Sequence, residues 1–304
     1  MTRLARLTGL DRCGVEVVAA VRPRGHVLQV SQGKGRTLAA AQWSALGEAI
    51  ELSAAEEPAL DRLRFGPAPG HTTWDVGGLR VAWVAGRALD GREAWVPAGA
   101  VFCPRAGVAW LGPEVTPWRS NGLGAHPTSR RAAERHALAE VVERDALARS
   151  LPDGWHPAAI ARRLLGRLDE VALSRRGFEA WAFDLSAGTG PVAGVLLFDL
   201  EGDVVPLTAG YACRATLAEA VEAAWLEAAQ TRLTEIQGAR EDVTLAGQRE
   251  AGRELREALL RSRPARKRVA SVVRPPRDTV LVTLRREPWV VKAVSERALV
   301  SELL

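Results

Sequence analysis

The chain predicts an α/β (α+β) protein built from repeated strand–turn–helix units, with mixed or antiparallel sheets. Three observations carry this. Short valine-rich runs with strand character are bounded by Gly, Pro and Asp turns. Three small-residue turns empty into alanine-rich helical stretches, each with a Glu and a second polar residue three positions on. These pairs are Glu48/Glu51, Glu140/Glu143 and Glu227/Gln230, about 90 residues apart. Finally, Glu201-Gly202-Asp203 between two apolar runs reads as a hairpin turn. A period near 90 is too long for a solenoid. One domain over residues 1–304 is therefore expected, with repeat units near 13–56, 93–150 and 203–237.

In chain order, residues 15–21 and 27–30 read as strands around the turn Arg22-Pro23-Arg24-Gly25. The second runs into a Gln32-Gly33-Lys34-Gly35 turn and a helix over 38–56 that carries Ser44, Glu48 and Glu51. Strands follow over 79–84 and 93–102, with Gly91 turning between them. Ser120-Asn121-Gly122-Leu123-Gly124 reads as a loop emptying into a long helix over 128–148. A leucine- and arginine-rich helix is expected over 158–175, then strands over 178–185, 192–199 and 204–212. A third alanine-rich helix spans 217–236. A polar helix near 248–261, a basic Pro/Arg linker and strands over 280–284 and 289–294 complete the chain.

Composition narrows the function. Hydrophobic content of 47% suits a large core, and no apolar run approaches the ~18 residues that cross a bilayer. The first twenty residues show no signal-peptide pattern, and Cys13, Cys103 and Cys213 form neither a disulfide framework nor a CxxC site. A cytoplasmic location, with no membrane partner, is the expectation. The net charge of +5 comes from dispersed arginines, with clusters at 261–263 and 266–268. One tyrosine and five phenylalanines offer no stacking platform for single strands, so nucleic acid is disfavoured. Only Lys34, Lys267 and Lys292 are lysines, and Lys34 sits between glycines before a helix, which suits a compact ammonium at a phosphate.

On the 128–148 helix, spacings of three and four place Glu140, Glu143 and Arg144 on neighbouring rows of one face. Asn121 and the amides around Gly122 and Gly124 would meet an anion at the helix's positive end. Alone, this segment fits either a solvated Glu140–Arg144 pair or half of a magnesium–nucleotide site. The two echoes of the carboxylate pair favour the second: inward-facing acids on closely packed alanine helices are costly without a cation. All-oxygen donors suit magnesium, and no His/Cys cluster suggests zinc. His136 reads as a packing residue, Cys213 as a buried thiol, and the ten tryptophans as core and strand surface.

Several ordered stretches resemble the YcaO family, ATP-dependent enzymes that activate peptide-backbone amides, and within it the branch associated with TfuA proteins. They include Thr8-Gly9-Leu10-Asp11-Arg12, Val30-Ser31-Gln32-Gly33-Lys34-Gly35, Glu48-Ala49-Ile50-Glu51-Leu52 and Ser120-Asn121-Gly122-Leu123. His136-Ala137-Leu138 through Asp145, and Glu227-Ala228-Ala229-Gln230-Thr231-Arg232, complete the set. The match is divergent and short at both ends. The resemblance implies a YcaO-like fold that binds ATP and Mg2+ between its helices. Glu48, Glu51, Glu140 and Glu143 would surround the metal; Lys34, Ser44, Asn121, Arg144, Gln230 and Arg232 would support the nucleotide. It implies O-phosphorylation of a peptide amide, leading to an azoline or a thioamide. The implied partners are a precursor peptide and a TfuA-like or peptide-recognition protein, with a homodimer as another assembly. The segment His126-Pro127-Thr128-Ser129-Arg130-Arg131-Ala132-Ala133 lacks the Asn and Glu that family members place there. Glu134 stands nearby as a substitute, and a catalytically degenerate scaffold or peptide-binding subunit is the alternative.

Overall fold

The computed structural model describes residues 3–115, 118, 122–201, 205–237, 245–265 and 272–301, the side chains of 245–248 excepted. The chain opens with an antiparallel sheet of β1 (Arg3–Arg6), β2 (Glu16–Val21) and β3 (Val30–Gly35), followed by helix α1 (Leu38–Glu56). Next come β4 (Leu63–Gly66), β5 (Val81–Ala88), β6 (Glu93–Pro97), the short helix α2 (Ala98–Val101), β7 (Gly122–His126) and the long helix α3 (Arg130–Ser150). The second half holds α4 (Pro157–Arg163), β8 (Leu164–Arg167), α5 (Glu170–Ser174), β9 (Phe178–Asp184), β10 (Val192–Asp199), β11 (Leu207–Cys213) and α6 (Leu217–Ile236). It closes with α7 (Leu245–Arg261), β12 (Val280–Arg286) and β13 (Trp289–Val294). Strands β11-β10-β9-β8 form one antiparallel sheet; β4-β5-β12-β13-β7 form another, with β6 also paired to β5.

Each sheet therefore has an edge strand, β3, β7 or β11, lying against a long alanine-rich helix. Helix α1 packs on β3 and also reaches β7; α3 packs on β7 and reaches β11; α6 packs on β11 and reaches β3. The ring closes on itself. Small residues make the close packing possible. Built onto the strand backbone, a Cβ at Gly33 would stand 1.9 Å from the Ala45 nitrogen, and one at Gly122 1.9 Å from the Ala137 carbonyl oxygen. At Gly210 it would stand 2.2 Å from the Ala228 nitrogen. The obstacles are helix backbone and cannot swing aside. Gly122→Ala is accordingly expected to cost about 3 kcal/mol, the upper end of the range for overpacking a tight core. Denaturant unfolding of the variant checks it: a midpoint unchanged from the parent would contradict the packing.

Four local expectations change. Residues 32–35, expected as a turn, form most of β3, and residues 122–124, expected as a loop, belong to β7. In both, glycine marks close approach to a helix and not a bend. Residues 158–175 are not one helix: the chain leaves α4 at Leu164, pairs with β9 through a register shift, and passes Gly166 at φ 143° before Asp169 caps α5. Residues 98–101 turn into α2 immediately after Pro97, burying Ala98, Ala100 and Val101. The expected hairpin turn at 202–203 and the basic cluster at 266–268 lie outside the described residues. Among those described, no helix is long and apolar enough to cross a membrane.

Candidate functional site

A cavity of about 460 Å³ opens where the three long helices meet. Helix α1 lines it with Trp43, Ser44, Gly47, Glu48 and Glu51, and α3 with His136, Ala139, Glu140, Glu143 and Arg144. Lys34 and Gln32 reach it from β3; Glu227, Gln230 and Thr231 come from α6, with Arg214 just before that helix. The helices start cleanly because each has a hydroxyl cap: the Thr37, Ser129 and Thr216 side chains accept from Ala40, Ala132 and Glu219 N–H.

The carboxylates are held by the sheet edges. Gln32 N–H donates to Glu48 Oε2 (2.9 Å) and Leu123 N–H to Glu140 Oε2 (2.7 Å), each from the strand on which the helix packs. The second acid of each pair reaches the next sheet: Ala125 N–H donates to Glu51 Oε1 (2.6 Å) and Cys213 N–H to Glu143 Oε2 (2.8 Å). Amides that a third strand would otherwise use thus fix four carboxyl groups around one space. Arg144 pairs with Glu140 Oε1, whereas Glu48 Oε1, Glu51 Oε2 and Glu143 Oε1 have no protein donor among the described residues. Lys34 Nζ donates to Glu227 Oε2 at 2.9 Å.

Crowding sets the proton affinities. Burial, reinforced by Glu140 and Glu227 and opposed by the Gln32 N–H and Lys34, pushes Glu48 up to about 7. Burial together with the neighbouring Glu140 and Glu48 charges pushes Glu51 up to about 8. Glu143 rises for the same reasons, burial first and then Glu227 and Glu140. Glu140 is the exception: burial opposes its charge, but Arg144, the Leu123 N–H and Lys292 hold it below the usual carboxylate range. Without a ligand, then, the four acids held by strand amides divide into one whose neighbours favour its charge and three whose burial favours the proton. A divalent cation removes that preference.

These donors fit magnesium bound with a nucleotide. Among the described residues, no three His, Cys, Asp or Glu side chains form a ready-made metal cluster. Magnesium does not require one, since it takes one or two carboxylates and fills the rest of its octahedron with water and phosphate oxygens. Three carboxyl oxygens without protein donors among the described residues, and guanidinium and ammonium groups on the same walls, supply both halves of that arrangement.

Of the residues expected from sequence, Lys34, Ser44, Glu48, Glu51, Glu140, Glu143, Arg144 and Gln230 all line the cavity. Asn121 lies outside the described residues. Arg232 is a correction. It points away from the cavity into the core, where it binds Asp11 (3.1 Å), Asp199 (2.7 Å) and the Val205 carbonyl oxygen. Residues two apart on a helix do not share a face, so Gln230 and Arg232 divide between cavity and core. Glu134 is no substitute ligand: it pairs with Arg87 and Arg130 at 2.8 and 2.9 Å. Arg131 is exposed, and neither it nor Ala132 lines the cavity.

Sequence reasoning missed some of the cavity. His136 opens onto it instead of packing, its pKa lowered by the surrounding protein. Arg214 received no role. Lys292, on β13, is fully buried below the acids; burial drives its pKa down to about 7, against the pull of Glu140 and Glu51. Its Nζ sits 4.1 Å from the Trp118 ring centroid. The signal for Lys292 was present in the scarcity of lysine, but its strand gave no hint of the neighbours.

Fold and cavity together define an α+β protein with an acidic, cation-ringed cleft at the meeting of three helices. The chain belongs to the YcaO family: residues 64–298 match the family model described as YcaO cyclodehydratase, ATP- and Mg2+-binding. An uncharacterized protein of Methanothermobacter thermautotrophicus is 32% identical over 273 residues, covering 81% of this chain and 69% of that protein. A Rhizobium leguminosarum bv. trifolii protein named for the tfuA 3' region is 29% identical, covering 80% of this chain and 64% of its own length. The chain thus spans about two thirds of the length of these two relatives. The YcaO structure from Methanopyrus kandleri bound with AMPPCP and Mg2+ has the same fold, with a TM-score of 0.67 and 22% identity, covering 98% of this chain and 85% of that one.

Proposed function

We propose that this chain uses ATP and Mg2+ to activate a backbone amide of a ribosomally made peptide by phosphorylating the amide oxygen. The observation that carries this is the set of fixed carboxyl groups, three with an oxygen lacking a protein donor among the described residues, in a cavity shared with Lys34, Arg144 and Arg214. Bound magnesium would neutralise phosphate charge and align the transfer. One or two of Glu48, Glu51 and Glu143, each kept in place by a strand amide, would hold the metal, with phosphate and water completing its shell. Glu140, already paired to Arg144, would orient that guanidinium toward phosphate oxygens. Lys292 stands behind the acids and limits their mutual repulsion.

Phosphoryl transfer of this kind is largely positioning and electrostatics, so the protein need not supply a nucleophile. Cys213 agrees: burial raises its thiol pKa to about 12, leaving it protonated and inert at neutral pH. The nucleophile would come from the peptide, giving an azoline, or from an external sulfide, giving a thioamide. The relative named for the tfuA 3' region supports a TfuA-like partner. Mass change in a precursor peptide distinguishes the two chemistries: azoline formation loses one water, while a thioamide exchanges oxygen for sulfur.

The nucleotide half is tested by thermal unfolding. A ligand present at 100 times its dissociation constant stabilises a protein by about 2.7 kcal/mol. ATP with Mg2+ is therefore expected to raise the melting temperature clearly, and ATP with excess chelator is not. No shift in either condition would sink the proposal.

A further inference from the structure

The cavity contains one feature that magnesium and phosphates do not use. Trp43 lines it from α1 and is 65% exposed, an unusual state for an indole beside a concave site. Among the described residues its ring stacks on no aromatic ring and no cation, in contrast to Trp95, Trp118, Trp155, Trp181 and Trp289. One turn further along the same helix, Gly47 also lines the cavity, and a Cβ built there would meet no atom within 4 Å. An exposed aromatic face thus stands next to a strip of helix that carries no side chain, with open space above it. Residues at i and i+4 lie one above the other on a helix, so Trp43 and Gly47 form a single slot. On the same face, one turn further, comes Glu51, and Glu48 lies beside it.

We infer that Trp43 is the base-stacking residue of this chain's nucleotide site, holding a purine ring against its indole over Gly47. This rests on the nucleotide assignment proposed above and adds to it the residue that takes the base. Stacking on an indole recognises the π-face and not the hydrogen-bonding edge, so the contact tolerates different bases. Its contribution belongs to the base alone. The carboxylates and cations act on the metal and the phosphates.

The experiment compares the binding of Mg–ATP and of Mg–tripolyphosphate, by calorimetry, to the parent, Trp43→Ala and Trp43→Phe proteins. Trp43 is exposed, and its removal leaves the core intact; circular dichroism confirms that the variants are folded. Loss of one base-stacking contact is expected to weaken Mg–ATP about 5- to 150-fold. Trp43→Phe should recover much of that loss, and all three proteins should bind Mg–tripolyphosphate equally. Equal Mg–ATP affinity in parent and Trp43→Ala overturns the inference while leaving the metal–phosphate site intact. Equal weakening of both ligands also overturns it, by showing a structural role. A parent protein that binds neither ligand fails at the nucleotide assignment itself.

Discussion

Replacing Arg232 by alanine is expected to destabilise the fold by about 3–5 kcal/mol, the cost of breaking a buried ion pair from one side. The guanidinium is 4% exposed and its partners Asp11 and Asp199 are 3% and 0% exposed. It also lies 5.0 Å from the Phe178 ring centroid, and Arg12 lies 4.5 Å from the same ring. After the substitution Asp199 still has Arg12 at 2.5 Å, but Asp11, whose Oδ2 has no hydrogen-bond partner among the described residues, loses the Arg232 guanidinium that holds its Oδ1. Urea unfolding should show the loss as a lower midpoint at an unchanged slope. At a temperature where the variant remains folded, its affinity for Mg–ATP should match that of the parent. A selective loss of nucleotide binding in a stable Arg232→Ala protein would return Arg232 to the site.

The second large effect has the opposite character. Glu51→Gln is expected to abolish the Mg–ATP-dependent rise in melting temperature and yet to leave the ligand-free protein at least as stable as the parent near pH 8. The glutamine oxygen can still accept the Ala125 N–H, while the charge that Glu140 and Glu48 oppose is gone. The sign follows from linkage. Glu48 and Glu51 take protons in the fold at about pH 7 and 8, against an ordinary value of 4.5. Between those limits the folded chain binds more protons than the unfolded one, so ligand-free stability falls as pH rises from about 4.5 to about 8. Glu51→Gln should flatten that slope. Affinity for Mg–ATP should rise over the same interval, because the metal must displace protons. Functional sites characteristically hold charge at a cost to stability, and these acids fit that pattern.

Much of this was legible in the sequence. The carboxylate pairs Glu48/Glu51 and Glu140/Glu143 were visible because helical spacing converts directly into a shared face. Their convergence was not. It depends on β7 and β11 offering free edge amides to helices of the preceding unit, and strand edges are set by pairing between residues far apart in the chain. Glycine misled for a related reason. Gly33 and Gly122 were expected to turn the chain, whereas they sit in extended strands and are small because a helix backbone lies against them. Arg232 was placed in the site by motif proximity, and the buried partner Asp11, more than two hundred residues away, could not be read locally. Lys292 and Arg214 reach the acids through sheet topology and not through any spacing pattern.

The central claim, that protonated carboxyl groups wait in this cavity for a magnesium nucleotide, is tested most directly by the protons released when it binds. Calorimetric titration with Mg–ATP near pH 7, in buffers of different ionisation enthalpy, measures that number. The parent should release protons on binding, and Glu51→Gln should release fewer or fail to bind. Binding of Mg–ATP without net proton release, and with equal affinity in Glu51→Gln, would show that these acids do not hold the metal.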